Sequence, residues 1–177
     1  MMYKTHYTSD FADVSFQAAF RTYFEELGCR VTNWEGLFAA MGEAGRTYAW
    51  MHKDDAGCVN HFSSGMDANG RNHAFILRDS DDEVAGFIQF TEMHMDSWFF
   101  TSKCGFIREF WIRSDLRRQG HGAKLLCMAE EWLRQRGCIC VLLTTDTAPG
   151  FYEKRGYVRQ MGIEARNKDA VFVKLFV

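Results

Sequence analysis

The residues that say most about chemistry are Arg117-Arg118-Gln119-Gly120-His121-Gly122. They stand between a run that reads as a strand, residues 104–113, and one that reads as a helix, residues 123–136. A turn placed there presents several free backbone N–H groups at the start of a helix. Those donors, together with the positive end of the helix dipole, make an anion site. Gly120 and Gly122 have no Cβ to keep a ligand off the backbone, and Arg117 and Arg118 add charge suited to phosphate. The predicted ligand is a pyrophosphate. The same spacing also fits a solvated turn that binds nothing, so the surrounding elements have to decide.

Bulk properties narrow the field. A chain of 177 residues is long enough for one domain, residues 1–177, with a real core. A net charge of −2 argues against non-specific nucleic-acid binding, which needs a basic surface. No apolar run approaches the ~20 residues that span a membrane, and residues 1–6 lack an apolar signal core. A cytoplasmic protein with no membrane or nucleic-acid partner is expected. The six cysteines include no C-x-x-C pair, so zinc and redox spacings are missing and reduced thiols packed as small apolar groups are expected. No H-E-x-x-H pattern occurs either, and no metal is predicted.

The elements that must position the turn can be read in order. Residues 3–8 alternate as a first strand. Ser9 or Asp10 is expected to cap a helix carrying Phe16, Phe20, Tyr23, Phe24 and Leu27 at helical spacing, stopped by Gly28. Asn33 starts a second helix with Trp34, Leu37, Phe38 and Met41. Residues 48–51 read as either an additional strand or a helical turn, and residues 54–71 as a long loop, functional or mobile. A β-hairpin spans 74–78 and 84–92. After strand 104–113, Leu125, Leu126, Ala129, Trp132 and Leu133 give the next helix one apolar face, with a Glu130–Arg134 pair on its surface. A strand over 139–144, a short helix opened by Pro149, and strands over 157–163 and 170–176 complete the chain. This is an α/β, or α+β, mixed sheet with helices on both faces.

At this point two stretches carry a resemblance. Arg117-Arg118-Gln119-Gly120-His121-Gly122 is similar to the Arg/Gln-x-x-Gly-x-Gly/Ala cofactor signature of the GNAT acyltransferase superfamily. Ala148-Pro149-Gly150-Phe151-Tyr152-Glu153-Lys154-Arg155-Gly156-Tyr157 is similar to that family's downstream signature, an aromatic-Tyr pair leading to Lys-x-Gly-aromatic. The resemblance is strong over residues 84–177, weaker over 3–27 and absent over 46–72. Ser114 stands where the family often has Pro, and Thr145 where it often has Asn. Thr145 keeps a hydroxyl but lacks an amide for the pantetheine arm.

The resemblance implies a GNAT-like acyl-CoA N-acyltransferase fold, its central, mostly antiparallel sheet splayed between strands 4 and 5. It implies acetyl-CoA as cosubstrate, with the pyrophosphate on Arg117, Arg118, Gln119, Gly120, His121, Gly122 and Ala123. The backbone of Phe110, Trp111 and Ile112 would pair with the pantetheine as a further strand, and Thr145 would stand on its other side. A backbone N–H near Ile112 would face the thioester oxygen. An alkyl amine, with a pKa near ~10.4, must lose a proton before it can attack. Glu109 is the first candidate base and Glu92 the second; the competing reading has Glu109 facing away or paired with Arg108 or Arg113, since one residue of register changes the face. Tyr152, with a phenol pKa near ~10, stays protonated beside a thiol of ~8.5 and is the expected acid at sulfur. The alternative for Tyr152 is a core aromatic.

The acceptor side is expected from the first two helices, residues 46–72 and the 92–103 connection. Those segments hold Trp34, Glu35, Trp50, Glu92, His94, Asp96, Trp98, Phe99 and Phe100, a mixture suited to a cation with an apolar part or simply to closing the core. The expected reaction is transfer of an acetyl group to a small-molecule primary amine by direct attack in a ternary complex. A peptide or protein acceptor, a non-catalytic acyl-CoA sensor and a dinucleotide-binding domain are the competing readings. A homodimer is left open.

Overall fold

The computed structural model describes residues 2–42, 46–54, 57–64, 71–94, 99, 101–165 and 167–176, with the backbone alone over 46–54 and 57–64. After strand β1 (Lys4–Thr8), the first helix is capped by Asp13 and not by Ser9 or Asp10. The Asp13 carboxylate accepts from the Phe16 N–H at 2.8 Å, and Asp10 accepts instead from the Ala12 N–H, one turn too early. Helix α1 then runs Val14–Glu26 and buries Phe16, Phe20 and Phe24 completely, one on each turn. Asn33 Oδ1 accepts from the Gly36 N–H and opens α2 (Trp34–Gly42).

Residues 46–54 and 57–64 settle one sequence reading and correct another. They form two antiparallel strands, β2 (Arg46–Asp54) and β3 (Gly57–Ser64), in a small sheet of their own. β3 reads Gly57-Cys58-Val59-Asn60-His61-Phe62-Ser63-Ser64, without the apolar alternation that marks a half-buried strand, yet an antiparallel ladder rests on backbone bonds that any such sequence can make. The 48–51 segment is strand, and the loop expected over 54–71 is in part a strand too.

The main sheet has seven strands in the order β1-β4-β5-β6-β7-β9-β8. The meander β4 (Asn72–Arg78), β5 (Val84–His94) and β6 (Lys103–Ile112) is antiparallel. A 3-10 turn (Ser114–Leu116) leads to α3 (His121–Gln135), then β7 (Cys140–Thr144), α4 (Pro149–Glu153), β8 (Val158–Gln160) and β9 (Val171–Leu175). Among the described residues only the β6–β7 contact is parallel, as a strand–helix–strand crossover requires. The sheet carries a core on each face. Ala74, Ile76, Phe87 and Trp111 pack under α1 and α2. Phe75, Leu77, Ile107 and Val141 pack under α3, through Leu125, Leu126, Ala129 and Leu133. The expected Glu130–Arg134 pair does not form. Arg134 binds Glu131, while Glu130 turns inward to accept from Tyr157 Oη (2.9 Å) and Lys174 Nζ (2.6 Å). Glu130 faces β9, and a partner across the fold displaces the local one.

Cys104 and Cys140 face each other across the β6–β7 ladder, Sγ to Sγ at 2.8 Å, as free thiols. Burial pushes the Cys140 thiol up to about 12 and the Cys138 thiol up to about 11, so both stay protonated and apolar in character.

His73 is a buried polar group beside α3. Its Nδ1 is hydrogen-bonded with Tyr7 Oη at 2.7 Å, and its ring packs 4.4 Å from Trp132. Burial holds its pKa down at about 4, with Glu92 opposing and Arg136 and Arg71 reinforcing. An unfolded imidazole titrates near ~6.5. Between those pH values the unfolded chain binds a proton that the folded chain refuses, so stability rises with pH across the window and is lost as pH falls through it. The expected loss from about pH 7 to about pH 4 is up to ~3 kcal/mol for this residue. Urea unfolding should show that slope in the wild type and a flatter one in His73→Gln; equal slopes would remove His73 as its source.

Candidate functional site

Strands β6 and β7 stay paired for three residues only: Cys104 with Cys140, Gly105 with Val141, Phe106 with Leu142. Beyond that point they part. β6 remains bonded to β5 as far as Ile112, and β7 to β9 as far as Thr144. A cleft of about 260 Å³ fills the fork. Its walls include Phe106–Phe110 on one side, residues 143–148 and Tyr152 on the other, and Tyr23, Leu27, Cys29, Asn167 and Asp169 across the mouth.

A bulge decides which side chains of β6 serve this cleft. Gln89 pairs with Glu109 but Phe90 pairs with Ile107, leaving Arg108 as the extra residue. Ile107 and Phe110 therefore pack toward α3, and Trp111 packs under α1 and α2. Glu109 also turns to the α1 side. It is 4% exposed, lines the cleft and accepts from Tyr23 Oη at 2.9 Å. The register question left open by the sequence is thus resolved by one inserted residue.

Tyr152 faces Glu109 from α4. It is 7% exposed and lines the cleft. Its ring sits edge-on to Phe151 (5.0 Å) and Tyr157 (5.5 Å), and Phe151 meets Phe110 of β6 at 5.8 Å. Burial raises the Tyr152 pKa well above the usual phenol range, Arg155 opposes and the Glu109 carboxylate adds to the rise. The phenol is a durable O–H donor. Thr145 is buried at the end of the other wall, where its Oγ1 accepts from the Ala148 N–H at 3.2 Å and its own N–H bonds the Ala170 carbonyl. It shapes the turn into α4 as well as lining the cleft.

The glycine-containing turn opens α3, as its sequence predicted, two residues earlier than expected. Arg118 and Gly120 both take left-handed backbone, φ 63° and 88°, a conformation that anion-binding turns use. No side chain caps α3. An added Cβ on Gly122 would stand 3.5 Å from Phe110 and 3.6 Å from Ile112 and Phe151, so the turn lies directly beside the open end of β6. These features fit a diphosphate. The arginines divide. Arg117 donates to the Ile112 carbonyl at 2.8 Å and pairs with Glu26 of α1, whereas Arg118 is exposed. Gln119 bonds the Asp115 carbonyl, the His121 ring packs 4.7 Å from Tyr3, and Ala123 is half-buried in the first turn.

The acceptor residues expected from sequence are mostly elsewhere. Trp34 stacks on Phe38 and takes Arg21 on its other contact, as part of the α1–α2 core. Glu35 borders a separate hollow with Asp10, Arg21 and Phe38. Glu92, the second candidate base, is outside the cleft and paired with Lys103 at 2.5 Å. His94 and Phe99 are exposed and do not line it. The Trp50 side chain, Asp96, Trp98 and Phe100 lie outside the described residues. The residues that the sequence reading missed are Tyr23, Asn167 and Asp169. Tyr23 was legible only as one more aromatic on a helix face, and the last two sit in a turn without any pattern. Among the described residues no group of three metal-ligating side chains comes together, and no helix is long and apolar enough to cross a membrane.

With this geometry in hand, comparison with solved proteins is informative about the fold. An N-acetylglutamate synthase from Neisseria gonorrhoeae, complexed with coenzyme A and N-acetyl-glutamate, superposes with a TM-score of 0.62 at 13% identity, over 98% of this chain and 35% of that one. A chain of the NatC complex bound to Gag peptide and CoA gives 0.60 at 13% identity over 100% of both. A protein assigned as an acyl-CoA N-acyltransferase from Klebsiella pneumoniae subsp. pneumoniae MGH 78578 gives 0.57 at 19% identity over 99% of both. No curated protein sequence matches the chain significantly. The Acetyltransferase (GNAT) family matches residues 41–157, a span that includes residues 46–72, where the sequence signatures showed no resemblance. The forked sheet, the uncapped helix beside it and this match over more than half of the chain agree, and the protein belongs to the GNAT family of acyl-CoA N-acetyltransferases.

Proposed function

We propose that the protein transfers an acetyl group from acetyl-CoA to a primary amine by direct attack, with both substrates held in the β6–β7 fork. One observation carries the reading: Glu109 and Tyr152, a carboxylate and a phenol, face the same cleft from opposite walls at the point where the strands part. Acetyl-CoA supplies an activated thioester. The chain's own groups do the rest. The α3 turn and Arg118 hold the diphosphate. The free edge of β6 at Phe110, Trp111 and Ile112 takes the pantetheine amides, and a backbone N–H near Ile112 meets negative charge growing on the carbonyl oxygen. Arg117 reaches the diphosphate only by leaving Glu26.

Proton traffic follows the two walls. Glu109 takes the proton that the amine sheds as its nitrogen bonds the carbonyl carbon, directly or through water. Tyr152 hydrogen-bonds the sulfur as the C–S bond breaks. Complete transfer from a free phenol to a thiolate is already uphill by about 2 kcal/mol, and the raised Tyr152 pKa makes it more so. Tyr152 therefore works as a donor that keeps most of its proton until the thiolate, itself desolvated, claims it.

The decisive experiment is thiol release from acetyl-CoA with ethylamine, spermidine, kanamycin, glutamate and a peptide with a free N-terminus. The last two are included because solved proteins of this fold were bound to N-acetyl-glutamate and to a peptide. Amine-dependent release is expected; none with any class would defeat the reading. Tyr152→Phe should lower kcat about ten- to a hundredfold with little change in acetyl-CoA affinity, and unchanged turnover would remove the acid. The glycines should separate by readout. Gly120→Ala forces φ 88° on a residue with a Cβ and should cost about 1–2 kcal/mol of stability. Gly122→Ala leaves only ordinary contacts within the fold. It should keep the melting temperature and weaken acetyl-CoA binding by calorimetry.

A further inference from the structure

We propose that Tyr23 is a positioning residue for the base, delivering from α1 the hydrogen bond that keeps the Glu109 carboxylate ionised and aimed. The proposal rests on the reading of Glu109 given above. Tyr23 Oη donates to Glu109 Oε2 at 2.9 Å across 86 residues of sequence. A carboxylate buried in a cleft holds its proton unless donors favour the charged form, and a base that already holds a proton accepts none. The phenol supplies such a donor. It arrives on a fixed support, since the Tyr23 ring packs edge-on against Phe20 (5.8 Å), Phe24 (5.3 Å) and Phe87 (5.7 Å), all of them buried completely. Tyr23 has two side-chain torsions, and those three rings restrict both. The other titratable or charged groups that face the cleft around Glu109 are Cys29 after α1, Arg108 on β6, Asp146 after β7, Tyr152 on α4 and Asp169 before β9.

The test is a pH titration of protein carrying 13Cδ-labelled glutamate, without substrate, with Glu109→Gln assigning the resonance. In Tyr23→Phe the Glu109 midpoint is expected to rise by roughly one pH unit. The acid limb of kcat/KM, measured with acetyl-CoA and the fastest amine of the five named above, should rise by the same amount. Tyr23→Phe should add nothing in a Glu109→Gln background. An unmoved Glu109 midpoint overturns the proposal for Tyr23 while leaving Glu109 as base intact. A midpoint that moves while the kinetic limb stays put shows instead that Glu109 is not the base, and the positioning role falls with it. The thermal midpoint is read on the same samples. Should Tyr23→Phe lose its fold, 3-fluorotyrosine in place of Tyr23 keeps the shape and is the stronger donor. It should move both midpoints down, and no movement would again overturn the proposal.

Discussion

The loss of one ladder in the middle of the sheet is the constraint on which everything else hangs. Unpaired backbone N–H and C=O groups inside a protein are costly, yet β6 and β7 give up each other after Phe106 and Leu142. The fork is tolerated because each strand keeps its outer neighbour, β5 for one and β9 for the other. Below the fork, the aliphatic side chains of α3 contact both halves and bind them into one core. Above it, Phe151 and Tyr152 of α4 pack between the walls. On the function proposed above, the amides of an extended acyl carrier would pair with the backbone that the strands leave open.

The two faces of the sheet divide the labour. The α3 face carries the glycine-containing turn and the aliphatic packing below the fork. The α1 face carries Tyr23 and Glu109, which line the cleft. Helix α1 is the tie between them, since Tyr23 holds Glu109 while Glu26, three residues on and on the same side of the helix, pairs with Arg117 of the turn.

Electrostatics in the cleft run one way. Tyr152 is kept neutral by burial and by the carboxylate opposite. Elsewhere the core holds its polar groups either uncharged, as His73, or fully matched, as Glu130 between Tyr157 and Lys174. Glu109, Asp146 and Asp169 line the cleft together with Arg108.

Much of this was legible before any coordinates. Local spacing announces α1 and α3 through their four-residue apolar rhythm, and Gly120 announces a left-handed turn because few other residues take one without strain. Two short signatures in the right order were enough for the family. What sequence could not decide were matters of distant partnership. The bulge at Arg108, which sends Glu109 to the α1 face, depends on how β5 pairs and leaves no mark in the β6 sequence. Glu130 abandons Arg134, and Arg117 finds Glu26, because partners from other elements come closer than those a helix or turn provides. Trp34 enters the core instead of a binding wall because α2 packs on α1. Helical period and turn chemistry are short-range properties carried by neighbouring residues. The face a strand residue shows, and the partner a charge keeps, are set by the elements packed against it, and those exist only once the chain has folded.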